Sequence, residues 1–235
     1  MKIVATLFLA LILSTSYGQG FAYPSIKQIG NSINDFVPKG WIILKSAKGD
    51  LNRDKLNNIA FVLQHRDSVS LIKNDDGYSD TVITQPRILV IAFYNKATKK
   101  YDLNEQSNSF ILYHDNPTID DPFQIISIAN KVLQIDFSIF YSMGSWEMSS
   151  NSYKFRFQDN EFKLIGADYN STMRNTGETE DRSYNFLTKK VAITTGNISD
   201  DKQKTEWKSI DYKKLKTFKT FTQPFTWKVQ KDFLI

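Results

Sequence analysis

Asp50, Asn52, Asp54 and Asn58 set oxygen-bearing side chains at positions 1, 3, 5 and 9 of a short loop, and the Leu56 carbonyl falls at position 7. Alternate residues of a tightly curled loop point inward, so this is the spacing by which a chain wraps a hard cation such as calcium. The same loop carries features that oppose it. Lys55 holds position 6, where the sharp turn favours glycine, and Phe61 stands at position 12 in place of a bidentate glutamate. Lys48, Arg53 and Lys55 also crowd the two carboxylates. Two outcomes stay open: a weak calcium loop, or a β-turn in which Asp50, Asn52 and Asp54 bond backbone amides.

Other chemistries are thinly represented. The two histidines, His65 and His114, show no ligand spacing, and a Ser-His-Asp hydrolase needs a nucleophile elbow that Gly144-Ser145-Trp146 does not supply. Phosphate-loop and dinucleotide fingerprints are missing. The absence of cysteine removes thiol catalysis, cysteine-ligated zinc and iron–sulfur clusters. Paired carboxylates are the remaining route to catalysis, since a glycosidase needs only two. The candidates are Asp120-Asp121, Asp136, Glu147, Asp168 and Glu178-Glu180-Asp181, and nothing in their spacing selects a pair. No catalytic residue is therefore assigned. For contact with a partner, Trp146 and Tyr169 stand out as aromatics beside polar loops expected at 73–85 and 170–182.

Charge is uneven. The chain is net +5, yet residues 202–231 alone hold nine lysines against Glu206 and Asp211, which leaves the rest net negative. Such a run could face an acidic partner. The alternation of Phe225, Trp227 and Val229 with Thr226, Lys228 and Gln230 reads instead as an amphipathic strand with lysines on its outer face.

The elements that must position these residues alternate in strand fashion. Apolar and β-branched runs at 41–44, 59–63, 87–94, 101–103, 110–113, 123–128, 132–141, 153–157, 162–169, 184–187 and 191–195 are separated mostly by short turns. That spacing predicts an all-β fold, an antiparallel meander built as a sandwich or a small propeller. One short helix is expected near the start, where Ile26, Ile29, Ile33 and Phe36 share a face and Ser25-x-x-Gln28 reads as a capping box. Pro38 and Gly40 end it.

Residues 1–18 read as a cleavable signal peptide: Lys2, an uncharged run from Ile3 to Leu13, then a polar stretch with the small residues Ser16 and Gly18 ahead of the cut. An apolar run of this length rises only about 16 Å as a helix, roughly half a bilayer core. The mature chain, residues 19–235, is read as a single β-rich domain without a transmembrane segment. An exported chain of this size without cysteine fits a bacterial periplasm or cell surface, and export weighs against a nucleic-acid partner despite the basic charge.

The loop from Gly49-Asp50-Leu51-Asn52 to Asn58 resembles the D-x-N/D-x-D-G-x-x-D loops of FG-GAP and VCBS-type repeats in bacterial exported proteins. The lead-in Phe36-Val37-Pro38-Lys39-Gly40-Trp41 is similar to that of uncharacterised exported β proteins of Gram-negative bacteria. The resemblance implies a β fold and a compartment, with calcium at Asp50, Asn52, Asp54, Leu56 and Asn58. The expected function is non-catalytic binding of an envelope protein or glycan. The alternatives are an inhibitor or immunity-type protein that blocks an enzyme, and a carbohydrate-active enzyme using a carboxylate pair.

Overall fold

The computed structural model describes residues 21–75 and 78–235, so the leader read from residues 1–18 lies outside the described residues. The first half of the chain gives β1 (Ile29–Gly30), β2 (Trp41–Gly49), β3 (Asn58–His65), β4 (Val69–Asp75), β5 (Tyr78–Thr84), β6 (Arg87–Asn95) and β7 (Lys100–Ser107). Five of these form one antiparallel sheet in the order β1-β7-β6-β3-β2, and β4 and β5 stand apart as a hairpin. The second half is a pure meander: β8 (Phe123–Ala129), β9 (Val132–Phe140), β10 (Glu147–Gln158), β11 (Glu161–Met173), β12 (Glu178–Asn185), β13 (Lys190–Asn197) and β14 (Asp200–Ser209) pair in sequence order as a seven-stranded sheet. A small ribbon, β15 (Lys228–Gln230) with β16 (Phe233–Leu234), ends the chain. The all-β antiparallel expectation is met, and neither large sheet closes on itself.

Burial explains the strand sequences. β3 and β6 read Asn-Ile-Ala-Phe-Val-Leu and Arg-Ile-Leu-Val-Ile-Ala without alternation because both their faces are covered. Ala60, Val62, Leu89 and Ile91 face the core shared with the seven-stranded sheet. Ile59, Phe61, Leu63, Ile88 and Val90 face a second apolar layer under Ile26, Phe36 and Trp41. The β10 and β11 strands alternate, because only their inner face is buried. Two tight turns carry left-handed residues in pairs, Asn130-Lys131 and Asp159-Asn160, the conformation that matches the strand twist of a hairpin. At one side the sheets meet edge to edge: a Cβ on Gly49 of β2 would lie 2.5 Å from Ile128 Cγ2 of β8, so only glycine fits there.

Several expectations need correction. The N-terminal helix is not present. Residues 21–30 run extended, and β1 pairs through Ile29 and Gly30 with Asp102 and Tyr101 on the edge of β7. The Ile26 amide donates to Gln106 Oε1, and the Leu103 amide to the Gln28 carbonyl. A single marginal helix cannot compete with a sheet edge offering long-range bonds and burial of Ile26. Only a 3-10 turn, Ile33–Phe36, follows, and Asp35 rather than Gln28 reaches back to the amides of Asn31 and Ser32. The apolar stretch at 110–113 is not a strand. It is irregular chain threaded between the sheets, with Phe110 fully buried. The loop expected at 73–85 is instead the β4–β5 hairpin, and the one expected at 170–182 is β11 running through a turn at 174–177 into β12.

Candidate functional site

The Asp50 loop joins β2 to β3 with Leu51 driven into the core. It brings the five expected residues together, and its oxygens meet the loop's own donors. Asp50 Oδ1 accepts from the Arg53 amide at 2.7 Å, and its Oδ2 from the Lys55 amide at 3.2 Å. Asp54 accepts from the Leu56 amide at 2.8 Å and from Asn52 Nδ2 at 2.9 Å. Asn58, wholly buried, donates to Asn52 Oδ1 and accepts from the Tyr94 amide. Arg53 and Lys55 both sit at φ 68, so these bonds hold a left-handed backbone that neither side chain favours. Among the described residues, no three His, Cys, Asp or Glu side chains group in a way that could hold a metal ion.

The two histidines are engaged separately. His65 packs edge-on to Trp41 and Phe21 and bonds the Asp67 backbone, while His114 Nε2 bonds the Ile119 carbonyl at 2.7 Å.

Strand register sorts the candidate carboxylates. Asp136, Asp168 and Asp181 fall on the outer face of the seven-stranded sheet, bonded to Gln134, to Lys154 and Ser183, and to Asn170 respectively. Asp121 is tied to Arg87. Glu147, Glu178 and Glu180 fall on the inner face at the end that the five-stranded sheet leaves open. Ser149, Ser171, Glu180 and Thr195 align straight across four strands, and Asn151, Tyr169, Arg182 and Ile193 form the next row inward.

Two hollows open onto this face, of about 750 and 550 Å³, and both are lined by Glu147 and Tyr169. The larger runs under the irregular chain at 109–116 and against residues 223–226 of the C-terminal arm, with Ile139 and Ser149 on its floor. The smaller continues over Ser171, Met173, Glu178 and Glu180. Tyr169 donates its hydroxyl to Glu147 Oε1 at 2.6 Å. Burial first, then the Glu147 hydrogen bond and the charges of Glu147 and Glu180, push this phenol up to about 12, so it is a fixed donor near neutral pH.

No protein-family model, curated protein or solved structure matches this chain.

Of the two aromatics expected to make contacts, Tyr169 is at the centre of the cleft and Trp146 stands at its rim, about three-fifths exposed. Arg174 holds that rim: its guanidinium donates to the Tyr141 and Ser145 carbonyls and lies 4.6 Å over the Phe140 ring. The C-terminal arm, expected either to face an acidic partner or to form a lysine-edged amphipathic strand, closes the inner end. Phe233 packs on Tyr169, the Arg182 guanidinium sits 3.8 Å from the Phe233 ring, and Gln230 accepts from Arg182 and Tyr184. The missed signal was the aromatic spacing Phe221, Phe225, Trp227, Phe233, too irregular for one strand yet suited to a segment laid across a sheet.

Proposed function

We propose that this chain is an exported, non-catalytic binding protein of a bacterial envelope, and that it holds its partner in the cleft over β9–β12. The observation that carries the reading is the half-open inner face. Seven strands build the face, the five-stranded sheet packs on part of it, and what is left is lined by a mixture of hydroxyls, carboxylates, tyrosines and aliphatic groups around a Tyr169 donor held by Glu147. Binding sites are built from this mixture of apolar lining and a few fixed polar groups. The apolar leader and the lack of cysteine support export. An inhibitor or immunity-type role is the same reading with an enzyme as the partner.

The test is to screen immobilised peptide and glycan libraries with the wild-type protein and with Ser149→Trp, which fills the floor of the larger hollow. Hits lost in the plugged variant support the reading. Hits that survive the plug, or no hits at all, sink it.

A second reading has one observation in its favour. Glu147 and Glu180 both line the smaller hollow with Tyr169, which donates to Glu147, so two carboxylates share one cleft, as a carbohydrate-active enzyme requires. Release of reducing sugar from an oligosaccharide panel, lost in Glu147→Gln, would favour it over binding alone.

Calcium at Asp50, Asn52, Asp54, Leu56 and Asn58 would have to draw carboxylate oxygens away from the amides of Arg53, Lys55 and Leu56. We expect Asp50→Ala to cost about 1 kcal/mol through the two lost amide bonds, measured by denaturant unfolding. Millimolar calcium should leave the wild-type Tm unchanged. A rise of about one degree or more, absent in Asp50→Ala, would instead make the loop a cation site.

A further inference from the structure

We propose that the cleft takes an extended basic segment of a partner protein, an inference that rests on the cleft being the binding site. The charge on its walls is the first argument. Among the described residues lining the two hollows there is no lysine or arginine, in a protein that is net +5. Glu180 is offset by Arg182 at 2.7 Å, but among the described residues Glu147 and Glu178 accept side-chain hydrogen bonds only from neutral hydroxyls, those of Tyr169 and Thr176. These two carboxylates stand at the open end of the face with no cation among the described residues bound to them, and a lysine or arginine side chain supplies one.

The second argument is the rim. Ile72 of the β4–β5 hairpin lines the larger hollow and is 61% exposed, Ile83 beside it on that ribbon is 72% exposed, and Trp146 and Met143 stand out from the opposite lip. Large exposed apolar side chains around a cleft lined by carboxylates fit a protein surface better than a hydroxyl-rich glycan.

The experiment uses dye-labelled short peptides alternating lysine or arginine with apolar residues, a glutamate-for-lysine counterpart of each, and chito- and cello-oligosaccharides, read by fluorescence anisotropy. The basic peptides should bind and the acidic counterparts should not, with affinity falling steeply between about 0.05 and 0.5 M salt. Glu178→Gln, an exposed position, and Glu147→Gln, which still accepts from Tyr169, should each weaken binding about tenfold. Asp181→Asn, on the outer face of the same strand as Glu178, should leave it unchanged. Circular dichroism melts establish that the variants fold. Basic and acidic peptides binding alike, no basic peptide binding, or affinity indifferent to both glutamates overturns the proposal. Oligosaccharide binding that Ser149→Trp abolishes, with no peptide binding, would keep the cleft as the site and discard the peptide.

Discussion

Asp121→Ala should destabilise the protein by about 3 kcal/mol or more in denaturant unfolding, among the largest losses available to a single polar substitution here. Arg87 of β6 is 3% exposed, and Asp121 grips it with both oxygens, at 2.8 Å to Nη1 and 2.5 Å to Nη2. Gln64 Oε1 accepts from Nε, and the Leu112 carbonyl from Nη1. The pair therefore ties the five-stranded sheet to the irregular chain at 109–122. Removing the carboxylate leaves a guanidinium charge in the interior, whereas Arg87→Met with Asp121→Leu removes both charges and should recover most of the loss. An Asp121→Ala cost below about 1 kcal/mol would show that water, which reaches the exposed side of Asp121, already screens the pair. The same contact carries a pH signature. Burial alone would raise the Asp121 carboxyl, but the Arg87 hydrogen bonds and charge, with the Phe123 amide, outweigh it and hold the group below its usual range. A folded-state value below the unfolded one, about 3.9, gives stability that is fully present above that value and is lost as pH falls through the folded one. Asp121→Asn should flatten that acid limb.

Phe110→Ala is expected to cost about 3–5 kcal/mol. Its ring meets five others, those of Phe137, Tyr153, Phe155, Phe218 and Phe221, with centroids 5.0–6.4 Å away. It thus joins the seven-stranded sheet, the C-terminal arm and the chain that roofs the cleft. Phe110→Leu keeps most of the volume and should lose less than half as much. Because residues 109–116 wall the larger hollow, the alanine variant should also weaken any cleft ligand more than the leucine variant does. Equal stability for the two would mean that the cavity collapses and that Phe110 is no keystone.

Much of this fold was legible because hydrophobic pattern and strand burial coincide. The double-faced runs of β3 and β6, the alternation of Tyr153, Phe155 and Phe157, and the turns at Asn130 and Asp159 all announce themselves. β14 does not. Every residue from Asp200 to Ser209 is exposed, and the strand is held by backbone pairing to β13, a contact that leaves no mark on residue type. The stretch at 110–113 erred the other way. Its apolar residues are buried by packing between layers, which looks the same in sequence as burial in a sheet. The cleft was half legible. Tyr169, Glu147, Glu178 and Glu180 could each be named, but a one-residue change in register would have sent any of them to the outer face. Only the pairing of β10 with β11 and β11 with β12 puts them together.

The extended N-terminal segment has a consequence for the order in which the molecule assembles. Ile26 bonds Gln106 across 80 residues, and Pro24 receives the Gln106 amide across 82. The first described residues to leave the ribosome thus have no docking place until β7 has been made, and contacts of such separation form slowly. Until then the outer side of β3 and β6, with Ile59, Phe61, Leu63 and Val90, has no cover. A chain threaded outward from its N-terminus would stay loose for as long as β7 lags behind, and the last layer to settle would be the first one made.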